Sequence, residues 1–420
     1  MKIKFTLLSL LLLLAIGSFA QQTKRVLFIG NSYTAVNNLP QLVHDVTQST
    51  GDSLVFDSNA PGSCTFQLHS TLALTTSKIM AGNWDRVVLQ EQSQVPSFPL
   101  SQVQSDCFPY AKRLDSLVHA YNTCAKSLFY MTWGRKNGDA GNCAVWPPVC
   151  TYNGMDSLLQ MRYRMMADST AGEVSPVGAV WHYLRTNFPS INLYQADESH
   201  PTIEGSYAAA CCFYTAIFKK DPNLITYNSS LSTGDAMNIR NAVKLVVFDS
   251  LAKWKLLDVK PNASFTTALA SGTTIQFVNN STNATAYYWS FGDGNNSTSP
   301  QPNHVYATNG SYTVSLIASS CTGADTSTLS VQVGTTSIAL LSTIGLSLSP
   351  NPVSTELTIS GIGEELIQLK VGDVLGKTYV CPATKTNGSI RMDVSSLPAG
   401  VYLLEINYKN LKQFCKFIKQ

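Results

Sequence analysis

The chain has little charge. Asp, Glu, Lys and Arg make up 13% of its 420 residues, about half the ~25% of an ordinary soluble domain. That shortage excludes coiled coils and long solvent-exposed helices, which depend on Glu, Lys and Arg. It also lacks a charge excess: 29 basic residues against 26 acidic ones leave a net +3. Such a balance has no electrostatic footprint for nucleic acid. Long apolar runs are missing beyond the first few residues, so no transmembrane anchor is expected. What is present excludes wholesale disorder: 44% hydrophobic and 10% aromatic residues can build cores. Ser, Thr, Asn and Gly fill the gap left by charge, a mixture suited to extended structure. At one domain per ~150 residues the length predicts two or three domains.

The N-terminus gives the compartment. Lys2 and Lys4 precede the largely apolar stretch Phe5 to Ile16, and Gly17-Ser18-Phe19-Ala20 closes it with small residues. This is the pattern of a secretory signal over residues 1–20, cleaved after Ala20. The run is short for a membrane span. No Cys follows the cleavage point, which argues against a lipid anchor. The mature chain is expected in a disulfide-permissive space.

Three textures follow. In residues 21–258, Arg25 to Ile29, Leu54 to Phe56, Arg86 to Gln90 and Leu128 to Thr132 read as strands, and Leu39 to Val46 has helical spacing. Strands alternating with helices predict an α/β domain with a parallel sheet. In residues 259–336 the helical pattern vanishes. Thr274 to Val278, Tyr287 to Phe291, Tyr312 to Ile317 and Thr328 to Val333 alternate between turn residues, as in a β-sandwich. A linker around Gly334 to Thr343 leads to a second small β module over 340–420.

The chemistry concentrates in the first block. A nucleophile needs a sharp turn at the end of a rigid strand, with backbone N–H groups ready for an oxyanion. Gly30-Asn31-Ser32-Tyr33-Thr34 follows the first strand directly and precedes a helix. It would place Ser32 at the carboxyl end of a strand, where open α/β sheets bind ligands. Far along the chain, Asp197-Glu198-Ser199-His200-Pro201 sets a carboxylate three residues before an imidazole. Asp197 can accept a hydrogen bond from one ring nitrogen of His200 and leave the other free to take the Ser32 proton. His44, His69, His119 and His182 have no ligand spacing, so no metal and no cofactor are expected. Trp133, Trp146 and Trp181 read as core.

These two motifs resemble those of the SGNH/GDSL hydrolases. The resemblance covers about residues 24–220 and implies a flavodoxin-like three-layer sandwich with a Ser32–His200–Asp197 triad. It also implies oxyanion donors. The backbone of Ser32 and that of Gly62, in Ala60-Pro61-Gly62-Ser63, take two positions. The third belongs in the family to an Asn. Here Gln90-Glu91-Gln92-Ser93 occupies that block, which points to Gln92, with Gln90 as the alternative. Glu91 lacks the second acid that a two-carboxylate glycosidase requires. Residues 51–54 spell Gly-Asp-Ser-Leu, but Ser53 would open a strand and so lie on the wrong side of the sheet.

Residues 259–336 resemble a PKD domain through Tyr288-Trp-Ser-Phe-Gly-Asp-Gly294, and Trp289 is expected in its core. Residues 340–420 resemble the C-terminal sorting domain of the type IX secretion system of Bacteroidetes, through Leu348-Ser-Pro-Asn-Pro352, Asp373 to Lys377 and Leu397 to Tyr402. The resemblance implies type IX secretion machinery as a partner, passage across the outer membrane, and a secreted or cell-surface location. Of ten cysteines, seven fall in the first block, an odd number, and Cys143 with Cys150 is the expected pair there. The combined expectation is a secreted serine esterase acting on carboxylic esters, such as acetyl esters of a glycan. The alternative is a non-catalytic glycan-binding surface protein or adhesin that keeps the fold. Phospholipase or peptidase activity is a third reading.

Overall fold

The four apolar runs become parallel strands, and a short fifth joins them: β1 (Thr23–Ile29), β2 (Ser53–Asn59), β3 (Arg86–Leu89), β4 (Lys126–Tyr130) and β5 (Glu173–Ser175). The computed structural model describes residues 21–271, 273–333, 346–361, 368–373, 375–386, 388–408 and 411–420. The export signal expected over 1–20 and the linker expected around 334–343 lie outside them. The chain divides into two units, residues 1–258 and 259–420.

In the first unit the sheet order is β2-β1-β3-β4-β5, with every neighbouring pair parallel. Val26 to Ile29 and Val87 to Leu89 are buried, because helices cover both faces of the sheet. β5 has three residues, too few to show in the sequence pattern. The helices used below are α1 (Ser32–Ala35), α2 (Leu39–Gln48), α3 (Phe66–His69), α4 (Ala73–Met80), α5 (Leu100–Asp106), α6 (Phe108–Tyr121), α7 (Tyr152–Thr170), α8 (Val177–Asn187), α9 (Ile203–Phe218) and α10 (Thr233–Val246). On α2, Leu39, Leu42, Val43 and Val46 form the buried stripe. α9 is apolar on nearly every side and packs between α2, α8 and α10. α4, α6 and α7 belong to the second helical group.

The chain leaves β1 for β2 on one side and then crosses to β3 on the other. Between β1 and β3 lies the point where the winding reverses, and ligands bind outside the carboxyl ends of the strands at such a point. Ser32 follows β1 and Gln92 follows β3, so both flank it. Ser53 opens β2, and the register pairs Thr23 with Ser53 and Ile29 with Asn59. Ser53 therefore sits at the opposite edge of the sheet from Ser32, a strand length away, about 20 Å at ~3.3 Å per residue.

Among the described residues the second unit holds four antiparallel sheets. Two of them, over residues 265–333, close on Phe265, Phe277, Trp289, Phe291, Val314 and Leu316. Trp289 is fully buried, and its indole N–H donates to Ser299 O at 2.9 Å. The other two, over residues 347–419, close on Leu357, Ile359, Leu404, Ile406 and Phe417.

Candidate active site

Asn31 builds the turn that presents Ser32. As N-cap of α1, its side chain accepts the Tyr33 N–H, and its carbonyl takes those of Thr34 and Ala35. The Ser32 N–H, at the first helical position, makes no hydrogen bond among the described residues. Gly30 is obligatory here. A Cβ on it would lie 2.2 Å from Thr34 Oγ1 and 2.6 Å from Gln90 Oε1.

Gln90, fully buried, clamps the same turn. Its Oε1 accepts from Asn31 N and Thr34 Oγ1, each at 2.9 Å. Its amide donates to Asn31 Oδ1 at 2.9 Å and to Glu91 O at 2.5 Å. Asn31 Nδ2 donates to Cys64 O at 3.0 Å, which joins the loop after β2 to the turn. His69 adds a third tie: one ring nitrogen bonds Gly30 O at 2.7 Å and the other Thr75 Oγ1 at 2.8 Å. Burial lowers the His69 pKa and favours the neutral ring, with Nε2–H donating to the carbonyl.

His200 reaches this turn from the loop before α9. Its Nε2 lies 2.8 Å from Ser32 Oγ, and its Nδ1 is hydrogen-bonded to Asp197 Oδ2. Asp197 Oδ1 accepts the N–H groups of Ser199 at 3.1 Å and His200 at 3.0 Å, so one carboxylate shapes the loop and holds the ring. The intervening Glu198 adopts a left-handed φ of 58°, an uncommon conformation for a non-glycine residue. Slight burial works to raise the Asp197 carboxyl. The His200 bond and the two backbone donors outweigh it and hold the group below the usual carboxylate range.

An aromatic stack fixes the loop from behind. Tyr33 lies parallel to Trp133 at 4.8 Å, and Trp133 to Trp181 at 3.7 Å. Tyr33 meets the His200 ring edge-on at 5.3 Å and shares a 2.6 Å hydrogen bond with Ser199 Oγ. The Trp133 indole donates to Ser199 O at 3.1 Å. Among the described residues, only His200 has a carboxylate on one ring nitrogen and a serine hydroxyl on the other. Asp156 and His182 also pair, at 3.0 Å, with no nucleophile bonded to that ring.

The expected oxyanion residues differ in their bonding. Gly62 lies in the exposed turn after β2, with no hydrogen bond from its N–H among the described residues. Gln92 turns back on its own loop: its Oε1 accepts from Gln94 N and Val95 N, and its amide donates to Gln94 Oε1 at 3.2 Å. Gln90 faces away from the cleft, with its amide committed to Asn31 and Glu91. These bonds make it a clamp on the turn. Gln90, His69 and Glu91 organise the site, yet no local motif marks them. Cys143 and Cys150 form a disulfide in the loop after β4. Among the described residues no cluster of three or more His, Cys, Asp or Glu is arranged to hold a metal.

Comparison with known proteins gives two family matches. Residues 258–334 match the model described as PKD domain, and residues 347–420 that described as Secretion system C-terminal sorting domain. No curated protein matches the chain. Solved structures similar to it include a DUF4886 family protein from Bacteroides uniformis, 16% identical, covering 55% of this chain and 95% of that one at a TM-score of 0.47. A protein from Slackia heliotrinireducens named as an SGNH hydrolase is 23% identical and covers 46% of this chain and 97% of that one at 0.38. The PKD1 domain of a Vibrio anguillarum protein is 30% identical and covers 18% of this chain and 96% of that one at 0.18. No helix among the described residues is long and apolar enough to cross a membrane. The chain thus carries a PKD domain over residues 258–334 and, over residues 347–420, a sorting domain of the kind that marks type IX secretion to the cell surface or extracellular space.

Proposed function

We propose that the first unit is a secreted serine esterase. The observation that carries this reading is the hydrogen-bonded line Ser32 Oγ–His200 Nε2–His200 Nδ1–Asp197 Oδ2 at the carboxyl end of β1. Asp197 keeps the proton on Nδ1, so Nε2 is the acceptor that faces Ser32. Ser32 Oγ attacks the ester carbonyl carbon as its proton passes to His200 Nε2. His200 then returns that proton to the departing alkoxide, and the alcohol leaves. A water, deprotonated by the same nitrogen, attacks the acyl-enzyme, and collapse releases the acid and restores Ser32. General base catalysis of this kind supplies about 10²–10⁴-fold.

The tetrahedral oxyanion falls to the free N–H groups of Ser32 and Gly62, with the remaining amide proton of Gln92 as a third donor. Each such donor contributes about 10²–10³-fold. The Ser32 and His200 side chains are half-buried rather than sealed, which suits a bulky alcohol. Export and the attached PKD domain favour an ester carried on an extracellular glycan, with acetyl as the acyl group. The test is hydrolysis of p-nitrophenyl acetate by the mature protein and by Ser32→Ala, followed by acetate release from acetylated polysaccharides. Ser32-dependent turnover supports the reading. A protein that binds glycan without any turnover contradicts it and leaves an adhesin with this fold.

A further inference from the structure

Glu91 is fully buried at the end of β3 and takes no part in the proton transfers above. Its carboxylate accepts the Phe66 N–H at 3.0 and 3.2 Å, one contact to each oxygen. It also accepts the Gln92 N–H at 2.6 Å. Phe66 is the first residue of α3 and ends the loop after β2, which carries Gly62 and Cys64. Gln92 lies in the loop after β3. One side chain therefore joins two loops that belong to different strands.

We propose that Glu91 is a positioning residue for the esterase site, whose carboxylate ties the Gly62 loop to the Gln92 loop and so sets the spacing of the oxyanion donors. The inference rests on the esterase reading. The tie sits within a chain of such links. Asn31 bonds Cys64 O in the first loop, and Gln90, the neighbour of Glu91, bonds Asn31. Glu91 closes the triangle between the nucleophile turn and the two loops. Its own N–H donates to Tyr163 Oη at 3.3 Å, which fixes it against α7.

Beside these N–H groups Glu91 also meets the Cys107 thiol. The titratable groups facing it are the thiols of Cys64 and Cys107 and the Tyr163 hydroxyl, none of them a cation. Burial pushes its carboxyl up to about 7, against the pull of the Gln92 and Phe66 N–H bonds and the Cys107 thiol. Without Glu91 the Phe66 N–H would be buried and unpaired and the Gln92 N–H would lose its partner, a state a folded protein avoids by moving the chain. The chain that would move bears the oxyanion donors.

Two variants and one direct measurement test this. Glu91→Met keeps the volume and removes the acceptor. Glu91→Gln leaves an acceptor oxygen where Oε1 now takes both bonds. With p-nitrophenyl acetate we expect Glu91→Met to lower kcat about 10–100-fold with KM within about twofold, and Glu91→Gln to recover to within about threefold of wild type. Unchanged kcat in Glu91→Met overturns the proposal, and so does a Glu91→Gln variant as impaired as Glu91→Met. Amide hydrogen exchange on the mature wild-type protein needs neither activity nor a variant. Phe66 and Gln92 N–H should be protected like strand amides, although both lie outside the sheet. Exchange at open-loop rates overturns the tie. Hydrolysis independent of Ser32, together with protected amides, separates a failure of the esterase reading from a failure of the tie.

Discussion

Two acids at the amino end of the sheet, Glu173 and Asp52, and two at its carboxyl end, Glu91 and Asp197, are held in opposite ways. At the amino end, acids meet cations. Glu173, the first residue of β5, accepts from Arg86 Nε at 2.7 Å and Lys219 Nζ at 2.9 Å. Asp52, just before β2, holds Lys220 Nζ at 2.8 Å. At the carboxyl end, Glu91 is held by backbone N–H groups with no cation, and Asp197 serves an imidazole. The amino end is neutralised and closed. The carboxyl end leaves the Ser32 hydroxyl and the His200 ring half-exposed. On the esterase reading, acids at the amino end serve cohesion and those at the carboxyl end serve the site, and Ser53 lies at the amino end.

The comparison breaks first at the nucleophile. Ser32→Ala should lower kcat for p-nitrophenyl acetate about 10⁴-fold or more, with an unchanged melting temperature. Ser53→Ala should leave the rate as it is. The mirror experiment is at the amino end. Arg86→Met leaves Glu173 buried with one cation fewer, and denaturant unfolding should show a loss of about 3–5 kcal/mol. Its kcat should stay near wild type at temperatures where the protein remains folded. A large loss of kcat there would erase the division between the two ends.

Gln90→Ala should come next. It strands the buried Asn31 N–H and frees the turn, so kcat should fall about 10-fold and stability by about 1–3 kcal/mol. The last test is in pH, where the two ends should oppose each other. The Glu91 carboxyl titrates near pH 7 when folded and near ~4.3 when unfolded. The folded state therefore holds the extra proton between these values, and stability falls as pH rises through that window. Glu91→Gln should flatten this slope in melting curves from pH 4 to 8. Burial tends to raise Glu173, but Arg86 and Lys219 together hold it below its ordinary value. Its contribution is present above the unfolded pKa and is lost as pH falls through the folded one.

Much of this site was legible in the sequence, because its chemistry is local. Gly30-Asn31-Ser32 encodes a strand, a cap and a helix start within a few residues. Asp197 and His200 are separated by one turn, so their pairing needs no knowledge of the fold. The side chains that join distant loops were not legible. Gln90 meets Asn31 across 59 positions and Glu91 meets Phe66 across 25. No periodicity or spacing marks such pairs. Gln90 and Gln92 look alike in sequence, yet two residues of displacement past β3 send the first into the core as a clamp and the second back onto its own loop. β5 escaped notice for a simpler reason, since three residues carry no alternation.

The most direct test of the account is reaction of the mature protein with a fluorophosphonate, followed by mass spectrometry of the modified peptides. A nucleophilic Ser32 gives a single phosphonyl adduct at that residue, absent in Ser32→Ala and formed at least about 100-fold more slowly in His200→Ala. No adduct on the folded protein, or an adduct on Ser53 instead, would contradict it.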